Sequence, residues 1–394
     1  MESRLRFYLT QPLTWVISVV LLTYLILIFM YIGRYDINWS SLINIGAKEG
    51  FYSPQKIDKG YLIYNGYGYD GQYNYYIVKD FFLKGEFQNP FRYQRILYPA
   101  LTYILSLGNG VLIPYIFVII NLVSVWLGMN CLIKLMGGSS ELNLFLLALY
   151  GLNIGFLVAI LYDLGTPLSI ALLIFAIYFY QKEKLYLCTI CLALSLLTME
   201  NAWLVIAPLV LWTIWQKEFH KSKILILSLI PWVIWQLILG WKFGLNQIPI
   251  VTSSGFLCFP FQGIVEYLRM KPWEADAIQE FLRQLNVFPF MLFVLITLII
   301  SGIQLFHEKT LYAWLVFFHC VFALCLSYQH IWAHTITSPT RVLCGIFPFL
   351  FLLYVHSSKK RLLSLLIMGS WLLTIMGLLR FAYLPQHPYF ILMK

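Results

Sequence analysis

PLTWVISVVLLTYLILIFMYIG, residues 12–33, contains no Asp, Glu, Lys, Arg or His. As an α-helix it would run about 33 Å at ~1.5 Å per residue, enough to cross a hydrocarbon layer of ~30 Å. Similar runs follow at 111–134, 142–161, 167–181, 185–198, 202–215, 224–241, 287–306, 311–328, 342–356 and 362–381. Their host is 394 residues long, 60% hydrophobic and only 11% charged, far from a soluble globular composition. Backbone in lipid must satisfy its own hydrogen bonds, which leaves helices or closed barrels, and these runs lack a barrel's period-two alternation. The expected fold is an all-α polytopic membrane protein with about 11 transmembrane helices and interfacial helices in its first extracytoplasmic loop.

Charge sets the orientation. The turns carrying Lys182 and Lys184, then Lys217, Lys221 and Lys223, then Lys359, Lys360 and Arg361, are short and basic, as cytoplasmic turns are. This holds if the apolar piece 95–107, short for a span, lies at the interface. The N-terminus is then cytoplasmic and the C-terminus outside. The first run is too long for a signal-peptide core and reads as an uncleaved helix. A net charge of +10 spread over short loops fits topogenic charges and anionic headgroups, and no nucleic-acid partner is expected. The seven cysteines lie mostly in apolar helices without a disulfide pattern; Cys188 and Cys191 have no second pair to complete a metal site.

This topology gathers the chemically capable residues outside: the loop 34–106, the turns 162–166 and 199–201, the loop 242–285 and the segment 329–341. The first contains Gly68-Tyr69-Asp70-Gly71-Gln72-Tyr73-Asn74-Tyr75-Tyr76, then Arg92-Tyr93-Gln94-Arg95-Ile96-Leu97-Tyr98-Pro99. Desolvation by aromatic neighbours is expected to raise the pKa of Asp70 and suit it to act as a general base, and Asp70 could also cap a helix over 71–83. Arg92 and Arg95 offer planar forks suited to phosphate, or to snorkelling toward headgroups. Arg341 invites the same reading.

Asp163, between two apolar helices, is placed to hold an acceptor, assist a cation or cap the following Pro167 helix. Glu200 could pair with an arginine or cap the following helix. His330 and His334 stand four apart around Trp332; with no carboxylate nearby in sequence, substrate hydrogen bonding or packing is favoured over metal binding. His319 reads as a hydrogen-bonded core residue.

Taken together these motifs resemble the GT-C superfamily of membrane glycosyltransferases, in particular bacterial mannosyltransferase-like members and, distantly, the glycosylphosphatidylinositol mannosyltransferase that adds the second mannose. Tyr69-Asp70-Gly71-Gln72-Tyr73 matches a first-loop motif of that family and Arg92 to Pro99 its following helix. Asp163-Leu164-Gly165-Thr166-Pro167 and Thr198-Met199-Glu200 stand for two later turns. Thr166 and Met199 depart from the family's Glu and Arg there.

The resemblance implies an inverting transfer of a sugar (a hexose such as mannose) from a polyprenyl-phosphate donor to a glycan or lipid acceptor, outside a bacterial plasma membrane. Asp70 would be the base and Arg92, Arg95 and Arg341 would meet the donor phosphate. Asp163 and Glu200 would serve as further acidic groups, with Tyr69, Gln72, Tyr73, Tyr93, His330 and His334 lining the cleft. The helices 71–83 and 95–107 would form a ledge for the lipid tail, and no metal or other cofactor is implied. The expected division is a GT-C-like module over 1–245, with its catalytic loop at 34–107, and a C-terminal part over 246–394. Competing classes are a lipid-linked-glycan flippase or transporter, which would carry polar residues at mid-membrane, an O-antigen ligase or polymerase, which would lean on Arg269 and Arg283 in the loop 242–285, and a catalytically dead scaffold.

Overall fold

The computed structural model describes residues 2–48, 56–244, 257–269, 287–332, 337–382 and 389–391. Every expected apolar run is helical there. Six helices are long and apolar enough to cross a membrane: Pro12–Tyr35, Ile113–Leu135, Glu141–Leu161, Phe219–Phe243, Val287–His307 and Lys360–Leu379. The apolar helices Thr166–Gln181, Leu185–Thr198, Glu200–Trp215, Leu311–Leu324 and Ile346–His356 are shorter. Leu185–Thr198, with 14 residues, extends only about 21 Å. Among the described residues, the eleven expected runs thus appear as six full-length helices and five shorter ones.

The helices are apolar all round, yet they sort their faces. In the first, Val20, Tyr24, Ile28 and Ile32 are buried at intervals of four, while Trp15, Leu22, Ile26 and Phe29 are exposed. One stripe packs on protein and the other is left for lipid. Local chemistry sets the breaks. Asn153 accepts the amide of Phe156 at 3.1 Å and so starts Ile154–Leu161 afresh inside an unbroken apolar run.

The first loop folds against one end of this bundle. Strand β1 (Ile45–Gly46) runs parallel to β2 (Leu62–Tyr64), which pairs antiparallel with β3 (Tyr389–Ile391), so Ile63 faces both Ile45 and Phe390. The last described residues thus lie beside the first loop. The helix Leu97–Ser106, ten residues or about 15 Å, is too short to cross and packs on Gly71–Lys79.

The helix expected over 71–83 ends at Lys79, because the chain turns around the side chain of Asp80. That carboxylate is buried and accepts the amides of Lys84 at 2.8 Å, Glu86 at 3.0 Å and Phe87 at 3.1 Å, and the Tyr93 hydroxyl at 2.7 Å. It thereby fixes the short helix Pro90–Tyr93, which carries Arg92, relative to the helix that begins beside Asp70. Trp235 ties the same short helix to the bundle by donating to the Tyr93 carbonyl at 2.7 Å.

Asp80→Ala leaves several buried donors without a partner, each costing about 1–3 kcal/mol. The variant is expected to lose about 3 kcal/mol of stability or more, read as a fall in melting temperature of the purified protein. An unchanged melting temperature contradicts the hub.

Candidate active site

Asp70 stands at the N-cap position of Gly71–Lys79 but in a helical backbone conformation, and its carboxylate makes no capping bond. It turns instead to two arginines. Arg341 Nη1 donates to Oδ2 at 2.7 Å, and Arg92 Nη2 lies 3.1 Å from Oδ1. The Arg92 guanidinium also stacks 4.1 Å above the Tyr73 ring, and that of Arg341 lies 5.5 Å from the Tyr69 ring, itself stacked on Tyr162. Arg341 Nε is buried and has no hydrogen-bond partner among the described residues.

The expected arginine pair separates. Arg95 turns to Glu200 in a two-pronged bond, with Nε 2.8 Å from Oε2 and Nη2 on Oε1. Of the two expected uses, Glu200 shows the arginine pair. Around these groups opens a cleft lined by Asp70, Tyr73, Asn74, Arg92, Arg95, Tyr98, Leu164, Gly165, Thr166, Thr198, Met199 and Arg341. Three guanidinium groups and two carboxylates leave one net positive charge.

The electrostatics correct one expectation. Burial does push the Asp70 carboxyl up, but the charges of Arg92, Arg341 and Arg95 outweigh it and hold the group well below the usual carboxylate range. Glu200 is likewise kept low, because Arg95 outweighs its burial. Both acids are ionised at neutral pH.

Several expected site residues turn out to be structural. Gln72 is fully buried, its Oε1 accepting the Gly46 amide at 3.0 Å and the Tyr76 hydroxyl at 3.3 Å. Tyr93 is fully buried against Asp80. Tyr69 packs beneath Arg341 and does not line the cleft. Tyr73 does line it. His334 lies outside the described residues, and of His330 only the backbone, in Tyr328–Trp332, is described; Arg283 also lies outside them.

Asp163 departs furthest from expectation. It is fully buried, its backbone lies in the left-handed region at φ 48°, and both carboxyl oxygens lack a partner among the described residues. It does not cap the next helix, whose N-cap is Gly165, and the cleft walls include Leu164, Gly165 and Thr166 but not Asp163. What reaches it from the first loop is Asn74, which donates to its carbonyl at 2.8 Å. Gly71 permits that approach, since a β-carbon there would lie 2.2 Å from the Tyr162 carbonyl oxygen. Asn74 and Met199 were not anticipated as cleft residues. Asn74 was legible in part, as it stands four residues beyond Asp70 on the same helix.

Compared with known proteins, the chain matches no protein-family model and no curated sequence. Among solved structures it is similar to the crystal structure of ArnT from Cupriavidus metallidurans bound to undecaprenyl phosphate. The TM-score is 0.48 at 12% identity, over 92% of this chain and 62% of that one. The chain thus spans less than two thirds of that protein's length.

Burial drives the Asp163 carboxyl well above its ordinary value and so favours its neutral form in the folded chain. As pH rises above the unfolded value near 4, the unfolded chain gains by ionising, and stability falls by up to about 1.4 kcal/mol per pH unit until the folded group also titrates. Asp163→Asn, which keeps the shape of the neutral acid, is expected to raise the melting temperature at pH 8. The advantage should shrink toward pH 4. A loss of stability at pH 8 contradicts a neutral Asp163.

Proposed function

We propose that the protein is a GT-C-type glycosyltransferase that moves a hexose from a polyprenyl-phosphate donor to a glycan or lipid acceptor. The reading rests on one observation: a carboxylate and three arginines share a cleft at one end of an apolar helical bundle. A base and a phosphate site are thus side by side where a lipid-borne substrate would present its headgroup. The motif resemblance around Asp70 and Arg92 points the same way.

In the proposed reaction an acceptor hydroxyl gives its proton to an oxygen of Asp70 as its own oxygen bonds to the anomeric carbon. The bond from that carbon to the phosphate oxygen breaks, and its electron pair leaves with the lipid phosphate. Attack opposite the leaving group inverts the centre, and no second carboxylate acts as a nucleophile. Arg92 and Arg341 lie nearest the developing negative charge, and Arg95 supports them from its pair with Glu200.

The charges balance on both sides of the step. Three arginines, ionised Asp70 and Glu200, and a phosphodiester of one negative charge sum to zero. After transfer, neutral Asp70, ionised Glu200 and a phosphate dianion again sum to zero against the same arginines. The protein then has no net charge to neutralise during the reaction.

Purified protein in lipid nanodiscs, given a set of polyprenyl-phosphate hexoses and candidate acceptors, is expected to form product. Asp70→Asn should lower turnover by about 100-fold or more. Arg341→Ala should lower it by about 10²–10³. Normal product formation by the Asn variant rules out Asp70 as the base.

A further inference from the structure

A base gripped by two guanidinium groups is poorly placed to accept a proton. Asp70 spends both oxygens on arginines: Oδ1 faces Arg92 Nη2 at 3.1 Å and Oδ2 faces Arg341 Nη1 at 2.7 Å. In this state the carboxylate occupies the positions that a phosphate's oxygens would take on the same two forks. Its competition is incomplete, because Arg341 keeps a buried Nε–H that meets no acceptor among the described residues. The Arg341 side chain is only 11% exposed, so that donor is a desolvated group awaiting an anion. Arg95 and Glu200 satisfy one another beside the cleft and leave Asp70 as the internal competitor for Arg92 and Arg341.

We infer that Asp70 is an internal stand-in for the donor phosphate, and that a phosphate monoester or diester entering the cleft displaces it from Arg92 and Arg341 and thereby frees it to act as the base. This deepens the transferase reading above and rests on it. The exchange makes base activation conditional on donor binding. With the donor absent, an acceptor hydroxyl or a water molecule meets a carboxylate whose two oxygens each already face a guanidinium group. With it bound, the same two arginines follow the phosphate and the carboxylate regains its affinity for a proton.

The consequence for binding is opposite to that of an ordinary catalytic contact. Removing the carboxylate's charge removes the competitor, so the site should hold phosphate more tightly. Asp70→Asn is expected to bind geranylgeranyl phosphate at least tenfold more tightly than wild type, measured by calorimetry on the purified full chain. Arg341→Gln should bind it at least tenfold more weakly. Geranylgeraniol, which lacks the phosphate, should show no difference between wild type and Asp70→Asn. Inorganic phosphate separates the sources: the same gain marks a site for any phosphate, and a gain confined to the prenyl phosphate marks a lipid headgroup site.

Equal or weaker binding of geranylgeranyl phosphate by a folded Asp70→Asn overturns the exchange. If that variant does not fold, a structure of wild type with geranylgeranyl phosphate decides. Phosphate on Arg341 with Asp70 more than 4 Å from both guanidinium groups supports the exchange, and an unbroken Asp70–Arg341 bond in that complex refutes it. Loss of transfer in Asp70→Asn with unchanged phosphate affinity removes the exchange and leaves the transferase reading standing. Normal transfer with tightened affinity rules out Asp70 as the base, and with it the activation by exchange, while the transferase reading stands.

Discussion

The bond between Asp70 and Arg341 joins the two ends of this chain and defines its site. The carboxylate comes from the loop after the first helix, and the guanidinium from a short helix, Thr337–Val342, far along the sequence. Both side chains are largely withdrawn from water, at 21% and 11% exposure. Neither could remain charged there alone at modest cost, so each needs the other. Arg92 adds a second cation to the same carboxylate and sets the sign of the cleft.

Much of the surrounding polar structure places these groups. Asp80 binds the loop amides and the Tyr93 hydroxyl, which brings Arg92 to Asp70. Gly71 lets the helix start close to the Tyr162 carbonyl, and Asn74 fastens that contact by binding the Asp163 carbonyl. Trp235 extends the support into the bundle. A strained backbone at Asp163 and its unpartnered carboxyl are tolerated where this docking is made. The division expected near residue 245 does not separate the site, since Arg341 lies beyond it.

Helices were the most legible part of the sequence. Long runs free of charge admit one backbone solution in lipid, so their existence follows from composition. Their lengths did not, because Asn153 and short polar turns divide or shorten them in ways hydropathy alone does not weigh. Asp70 and Arg92 were legible because a carboxylate and arginines in an aromatic loop have few bland uses. The environment of Asp70 was not. Local aromatics suggested a raised pKa, whereas its titration is governed by arginines, one of them 271 residues distant in sequence. Gln72 and Tyr93 were misread for a similar reason. Their polar ends look available in the sequence, but tertiary contacts with Gly46 and Asp80 engage Gln72 Oε1 and the Tyr93 hydroxyl. Asp163 stood at a turn that does border the cleft, yet its left-handed backbone leaves the carboxyl buried behind the wall.

The central claim is that Asp70 and Arg341 form one charged unit. A double-mutant cycle of Asp70→Asn, Arg341→Gln and the two combined, read as unfolding free energies of the purified protein, measures it directly. A coupling energy of about 1–3 kcal/mol between the two positions is the predicted result. Effects that add to within about 0.5 kcal/mol would mean the two groups do not meet in the folded protein, and the account of the site would fail.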